Sequence, residues 1–480
     1  MKKRTWLLMV CALLLIASLQ ATAEQGSANY LYSPHKELLP VPPAYVWERS
    51  LTASRLPGVD NLANLSDATV KDGRIYVLCQ DKLLVFDEDF GLISLVLAYQ
   101  EEGESQMLAG CTGLFVNPDD SLYITQAEQA RILHLNPDFT LKRVLERPRI
   151  DGFENVNYRP TKLVADEAGR LYVVAKGMYE GIVELQQDGS FSRFYGVNEV
   201  RFNAADLLWR RLATKEQRAR QQLWLPTDFT NVAIDKDGFI FATIMESRGQ
   251  LIKRLNAKGQ NILRTGAQVD YPGGDMRVNQ AGYGIPTGPS QFIAVDVNDY
   301  GVFILLDSTR SRLFAYNEDG RLLYTLGGQG DRRGYFRSPV DVDFLGDRIV
   351  VLDQLAQSIE IFAPTDYGRA LNLAVAHQHF NRFEEAAEAW RVALGYNHNL
   401  TLAYSGIGRS LLREGKYEEA LNYLQRGDDR EYYSKAYAQV RNDYLKTHFD
   451  IIVLGLLAVI ILPLVAVKLL RRRSRKEVQA

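Results

Sequence analysis

VDVNDYGVFILLDSTRSRLFAYNEDG, residues 295–320, decides the fold. Three short β-branched and aromatic runs are separated by Asn, Asp, Ser and Gly turns. Such runs read as antiparallel strands, because β-branched and aromatic side chains suit a pleated surface while Asn, Asp and Gly accept turn geometry. The middle run recurs as GRIYVLCQ from Gly73, DSLYITQA from Asp120, GRLYVVAK from Gly169, GFIFATIM from Gly238, GVFILLDS from Gly301 and DRIVVLDQ from Asp347. Each copy has an apolar strand before it and another after it, so the repeat is a meander of antiparallel strands, and six copies make six blades.

Meanders of this size over residues 45–366 predict a mainly β, six-bladed propeller, an architecture that leaves only short, protected sheet edges. The sixth copy runs into a helical pattern at Tyr367 and lacks an outer strand, whereas YVWERSLTA, residues 45–53, precedes the first copy with no partner. The unpaired strand is therefore expected to complete the last blade and close the ring. Residues 24–44 are expected to be an extended N-terminal segment, and deletion of residues 24–40 is expected to be mild.

VAIDKDGFIFA, VDVNDYGVFILLDSTRSRLFAYNEDG and FVNPDDSLYITQAEQARILHLNPD resemble the NHL-repeat propellers: apolar strand, Asp-x-x-Gly turn, strand ending in Asp, then an arginine, here Arg131 and Arg312. Cys79, Gln126 and Lys176 depart from the acid that Asp307 and Asp353 supply at the equivalent place. The resemblance covers about two thirds of the chain and implies the fold, with little bearing on activity.

From Tyr367 the period becomes helical. LAVAHQHFNRFEEAAEAWRVAL and IGRSLLREGKYEEALNYLQRG match across 34 residues, with Asn381 on Gly415, Phe383 on Tyr417, Ala386 on Ala420 and Trp390 on Leu424. This resembles a tetratricopeptide pair over residues 367–428, followed by a stalk helix at 429–448. FDIIVLGLLAVIILPLVAVKLL, residues 449–470, has the length and apolarity to cross a bilayer once, and the basic residues 471–480 after it are expected to be cytoplasmic. At the other end, residues 1–23 combine a basic start, an apolar run and Ala21-Thr22-Ala23, the pattern of a cleaved signal peptide. Together they place the propeller outside the cytoplasm of a single-pass cell-membrane protein, and the low His and Cys content favours a bacterial source.

The 56 Lys and Arg nearly balance 58 Asp and Glu, but basic residues gather at both termini, so the ectodomain is acidic and nucleic acid is not an expected partner. Cys79 and Cys111, in an oxidising compartment, either pair or remain buried thiols. His134 is alone within the blades, which excludes a zinc-dependent lyase built on converging histidines.

No catalytic residue and no cofactor is expected. The enzymatic alternative is a lactonase or arylesterase similar to gluconolactonase, whose family holds a divalent cation on the axis with Glu, Asn and Asp. Asn231, Glu246, Asp296, Asp307 and Asp353 are the candidates here. The favoured function is binding of a protein or carbohydrate partner, perceived through two insertions flanking the fourth blade that concentrate Trp209, Arg210, Arg211, Trp224, Tyr271, Arg277 and Tyr283, the aromatic and arginine mixture of interface hot spots. Tyr404 and Arg409, in the helical repeats, are the next candidates. Accessory duty in a membrane transport assembly is the weaker corollary.

Overall fold

A computed structural model describes residues 29–33, 36–101, 103–197, 228–245, 250–263, 273–275 and 288–477, the side chains of 469–477 excepted. All seven residues proposed for partner binding, Glu246 and the signal segment lie outside the described residues.

Six antiparallel sheets form the six blades, and each of the six sequence copies is the second strand of its blade. The inner strands are Leu65–Lys71, Cys111–Val116, Arg159–Ala165, Phe229–Ile234, Phe292–Val297 and Pro339–Leu345. Blade 6 is closed by the strand Tyr45–Thr52, which pairs antiparallel with Ser358–Pro364 from Ser358 on Thr52 to Pro364 on Tyr45. The ring is thus held shut by backbone hydrogen bonds between chain segments about 300 residues apart. Among the described residues blade 4 has three strands.

Apolar side chains alternate along each strand and fill separate cores between successive blades, because successive residues of a strand face opposite sides of the sheet. Cys79 lies in the core shared by blades 6 and 1 with Leu352 and Ile361, whereas Cys111 lies in the core shared by blades 1 and 2 with Leu78 and Leu133. The structure has both as free thiols, separated by the sheet of blade 1, and burial pushes each up to about 12.

The N-terminal segment is more than extended chain. Tyr30–Tyr32 and Leu38–Pro40 pair as a hairpin. Tyr30 N–H donates to Thr325 Oγ1 of the outer strand of blade 5 (3.1 Å), and Tyr30 joins Phe292, Phe303 and Phe314 in a core. The mild effect expected for its loss is therefore revised, since removal uncovers that core.

Six helices follow the blades among the described residues. Helix α1 (Asp366–His379) docks on the propeller: Asn372 Nδ2 donates to Tyr45 Oη (2.7 Å), and Gly368 sits where a Cβ would meet the Ala44 carbonyl oxygen at 2.0 Å.

The second compact unit, residues 380–480, holds α2 (Phe383–Tyr396), α3 (Thr401–Arg413), α4 (Tyr417–Arg426), α5 (Arg430–Thr447) and α6 (Phe449–Glu477). The aligned turn residues Asn381 and Gly415 both adopt positive φ, 58° and 78°. The aligned Trp390 and Leu424 both pack on glycines of α3, Gly406 and Gly408, which let the helices approach. Arg409 is an internal brace: its Nε donates to buried Asp429 (2.8 Å), which also accepts from Ser405 Oγ and caps α5. Within α6, Phe449–Lys468 is apolar, unburied and long enough to cross a membrane.

Candidate functional site

The inner strands share one irregularity. In each, the register with the second strand slips by one residue, at Ser66, Thr112, Thr161, Thr230, Ile293 and Val340. A bulge at the same place in every blade re-aims the residues that follow. The residues after it, Asp67, Gly113, Lys162, Asn231, Ala294 and Asp341, stand at one level of the ring. Two residues further, Thr69, Phe115, Val164, Ala233, Asp296 and Asp343 make a second level. Four of the first set and all of the second line a cavity of about 1180 Å³ on the axis. It extends to the turns that follow the inner strands. The insertions join the chain at the opposite ends of those strands, before Phe229 and before Phe292.

The first level is an ion network. Lys162 Nζ reaches from blade 3 to Asp67 of blade 1 as an ion pair, to the Ser66 carbonyl oxygen (3.1 Å) and to Asp341 Oδ2 of blade 6 (3.5 Å). Asn231 Nδ2 stands 3.5 Å from Asp341 Oδ1. Burial works against the Lys162 ammonium, but Asp341 and Asp67 outweigh it and hold its affinity for the proton above that of a free lysine. Burial also raises Asp67, with Lys162 drawing it the other way. Gly113 leaves room for the neighbouring blade, since a Cβ there would meet the Thr161 carbonyl oxygen at 2.4 Å.

The carboxylates also fasten one blade to the next. Leu114 N–H donates to Asp67 Oδ2 (2.6 Å), Ala68 N–H to Asp341 Oδ2 (2.7 Å), Val70 N–H to Asp343 Oδ2 (3.0 Å) and Phe344 N–H to Asp296 Oδ2 (2.8 Å). Inner-strand amides that lack a ladder partner are satisfied in this way. At the second level Asp296 and Asp343 are hydrogen-bonded to each other. Burial, then the mutual repulsion of the pair, keeps Asp343 well above the usual carboxylate range, and burial pushes Asp296 up to about 6. Two such carboxyls resist ionising together, as like charges in close contact repel.

Of the residues weighed for an axial metal, Asn231 and Asp296 lie on the axis. Asp307 and Asp353 do not: each ends a second strand and holds a loop, Asp307 accepting from Gln291 N–H (2.9 Å) and Ser290 Oγ (2.8 Å), Asp353 from Arg337 N–H (2.7 Å) and Ser338 N–H (3.0 Å). Gln126 performs the same task in blade 2, bonded to the Ala109 carbonyl oxygen and Arg131. Asp67, Lys162, Asp341 and Asp343 escaped sequence reasoning. Their signal is positional: each is a polar residue within an inner strand, Asp67, Lys162 and Asp341 directly after the bulge and Asp343 two residues further. His134 is buried against Tyr123 (ring centroids 4.1 Å apart), and burial lowers it to about 4, so it is a neutral packing residue. Among the described residues no three His, Cys, Asp or Glu side chains are placed to hold a metal ion.

No protein-family model matches the sequence, and no curated protein matches it. Solved structures do. Virginiamycin B lyase from Staphylococcus aureus aligns at 10% identity and TM-score 0.39, covering 66% of this chain and 99% of its own. A gluconolactonase from Xanthomonas campestris aligns at 10% identity and TM-score 0.39, covering 68% and 99%. A Bacteroides thetaiotaomicron protein of unknown function aligns at 12% identity and TM-score 0.41, covering 65% and 75%. At these identities the likeness extends no further than the fold.

Proposed function

We propose that the chain is a membrane-anchored, extracytoplasmic binding protein, with an NHL-type propeller and a tetratricopeptide pair presented on a single-pass helix, engaging a protein or carbohydrate partner. The observation that supports this most is the use made of the axial carboxylates: Asp67, Asp296, Asp341 and Asp343 each accept a backbone N–H from the next blade. Groups that clasp the ring are poorly placed to change partners during a reaction. Recognition then falls to the two insertions that precede the inner strands of blades 4 and 5 in the sequence, where Trp209, Arg210, Arg211, Trp224, Tyr271, Arg277 and Tyr283 are concentrated. The apolar helix followed by RRRSRK orients the propeller outward.

Copurification from solubilised membranes tests the reading. Trp209→Ala, Arg211→Ala and Tyr283→Ala are expected to weaken capture of a copurifying partner by about thirtyfold at a true hot spot, with thermal stability unchanged. Unchanged capture by all three removes the site from the insertions. Protease applied to intact cells is expected to digest the propeller and leave a short C-terminal fragment, and a protected propeller would overturn the orientation.

A hydrolase working on the axis is the second reading, favoured by one observation: Asp296 and Asp343 both line the cavity, where burial raises both carboxyls, as a general acid requires. Lactone or ester hydrolysis abolished by Asp343→Asn would support it and displace the binding role.

A further inference from the structure

A divalent cation on the axis, expected of a gluconolactonase-like propeller, does not fit these residues. Gly113 and Ala294 supply no side-chain oxygen at the first level, and Asn231 turns its amide nitrogen toward Asp341 (3.5 Å). Asp67 and Asp341 already accept the Leu114 and Ala68 amides. Asp67 Oδ1 and Asp341 Oδ2 converge, with the Ser66 carbonyl oxygen, on Lys162 Nζ. A metal ion at that convergence point would face an ammonium group instead of a further ligand, whereas calcium needs six to eight oxygens and magnesium a near-ideal octahedron.

We propose that the Lys162 ammonium is the resident cation of the propeller axis, a tethered counter-ion that lets the carboxylate clasps form without a metal. Three features carry this. The side chains involved are shielded, 13% exposed for Lys162, 7% for Asp67 and 4% for Asp341, and buried charges of one sign require compensation. The cation is anchored on blade 3 yet contacts blades 1 and 6, on both sides of the last seam of the ring, so it braces the closure across the axis. Finally, a lysine stem delivers a compact charge with three donors, matched here by two carboxylates and one carbonyl. The inference does not depend on the binding reading, since either a binding protein or an enzyme needs the ring closed.

Lys162→Met keeps the stem and removes the charge. The full-length protein in detergent, wild type and variant, would be followed by thermal unfolding and metal analysis with excess chelator, CaCl2 or MnCl2. Wild type is expected to hold less than one divalent ion per chain and to unfold at the same temperature in all three conditions. K162M is expected to unfold at a lower temperature and to recover a saturable part of the loss with Ca2+ or Mn2+, or to fold only when one is supplied. Adding Asp67→Asn should abolish that response by removing a ligand and one of the two negative charges, which leaves Asp341 alone. A stoichiometric divalent ion in wild type whose removal lowers Tm overturns the proposal. So does a K162M protein of unchanged Tm, or one whose defect neither cation corrects.

Discussion

The two halves of the ring are fastened by different chemistry. Between blades 5 and 6, 6 and 1, and 1 and 2, an axial carboxylate accepts an amide of the next inner strand. Between blades 2 and 3 the clasp is Thr112 Oγ1 donating to the Pro160 carbonyl oxygen (3.2 Å), and between 4 and 5 it is Thr230 Oγ1 donating to that of Phe292 (2.8 Å). A charge-assisted bond is about twice as strong as a neutral one, but it places negative charge on the axis that must be balanced. The strong clasps lie where the ring closes on its own N-terminal strand, and the balancing ammonium is lent by the other half. The neutral half carries no such charge, and the two long insertions flank its blade 4.

Removing the closing strand is the harshest way to probe this difference. Deletion of residues 45–52 strips blade 6 of its outer strand, removes Leu51 and exposes the core around Ile359 and Ile361, so loss of cooperative unfolding of the propeller is expected in calorimetry. Deletion of residues 29–40 acts on the other half, removing Tyr30 and uncovering the core of Phe292, Phe303 and Phe314, and is expected to lower Tm while leaving a single transition. Equal damage from both would erase the distinction between the halves.

Single clasps come next. Asp341→Ala leaves the Ala68 amide unsatisfied and Lys162 with one carboxylate fewer, for an expected loss of about 3 kcal/mol, whereas Thr112→Val removes a neutral bond for about 1 kcal/mol. Denaturant unfolding measures both, and comparable losses would contradict the comparison.

The pH dependence is smaller and has a definite sign. The Asp296–Asp343 pair binds its proton more tightly folded than unfolded, with Asp296 at about 6 against 3.8. Its contribution is present below pH 3.8 and is lost as pH rises through about 6 and beyond, where ionisation sets two buried charges against each other. Buried His134, lowered to about 4, acts oppositely between pH 4 and 6.5, but it is common to wild type and variant and cancels in their difference. Asp343→Asn keeps an oxygen for the Val70 amide and removes one charge. Its stability relative to wild type is expected to improve by about 2 kcal/mol from pH 4 to pH 8. A flat difference would mean that the two carboxyls do not resist ionising together.

The blades, their number and the closing strand were legible because each is written as a local period, strand and turn, repeated along the chain. The axial site was not, because it takes one residue from each of several strands up to 274 positions apart, Asp67 to Asp341, and becomes a unit only when the ring closes. Asp307 and Asp353 attracted a metal reading since acids at strand ends look alike in sequence whether they hold a loop or a ligand. Lys162 was invisible for a related reason: a lysine before an apolar run reads as a solvated strand edge until the opposite blades supply its carboxylates. Asn381 and Gly415, by contrast, were aligned from a local 34-residue spacing, and both adopt the left-handed turn that the alignment implies.

The claim that the axis supplies its own cation is tested most directly by a double-mutant cycle between Lys162→Met and Asp67→Asn in the full-length protein at pH 8, read by denaturant unfolding. Lys162→Met alone leaves Asp67 and Asp341 facing each other without a cation, Asp67→Asn alone leaves the ammonium with Asp341 only, and the two together leave Asp341 as the one remaining charge, so the double variant is expected to lose less than the sum of the singles, by about 1–3 kcal/mol. Losses that add to within about 0.5 kcal/mol would contradict the account, because they would mean that ammonium and carboxylate stand side by side without stabilising each other.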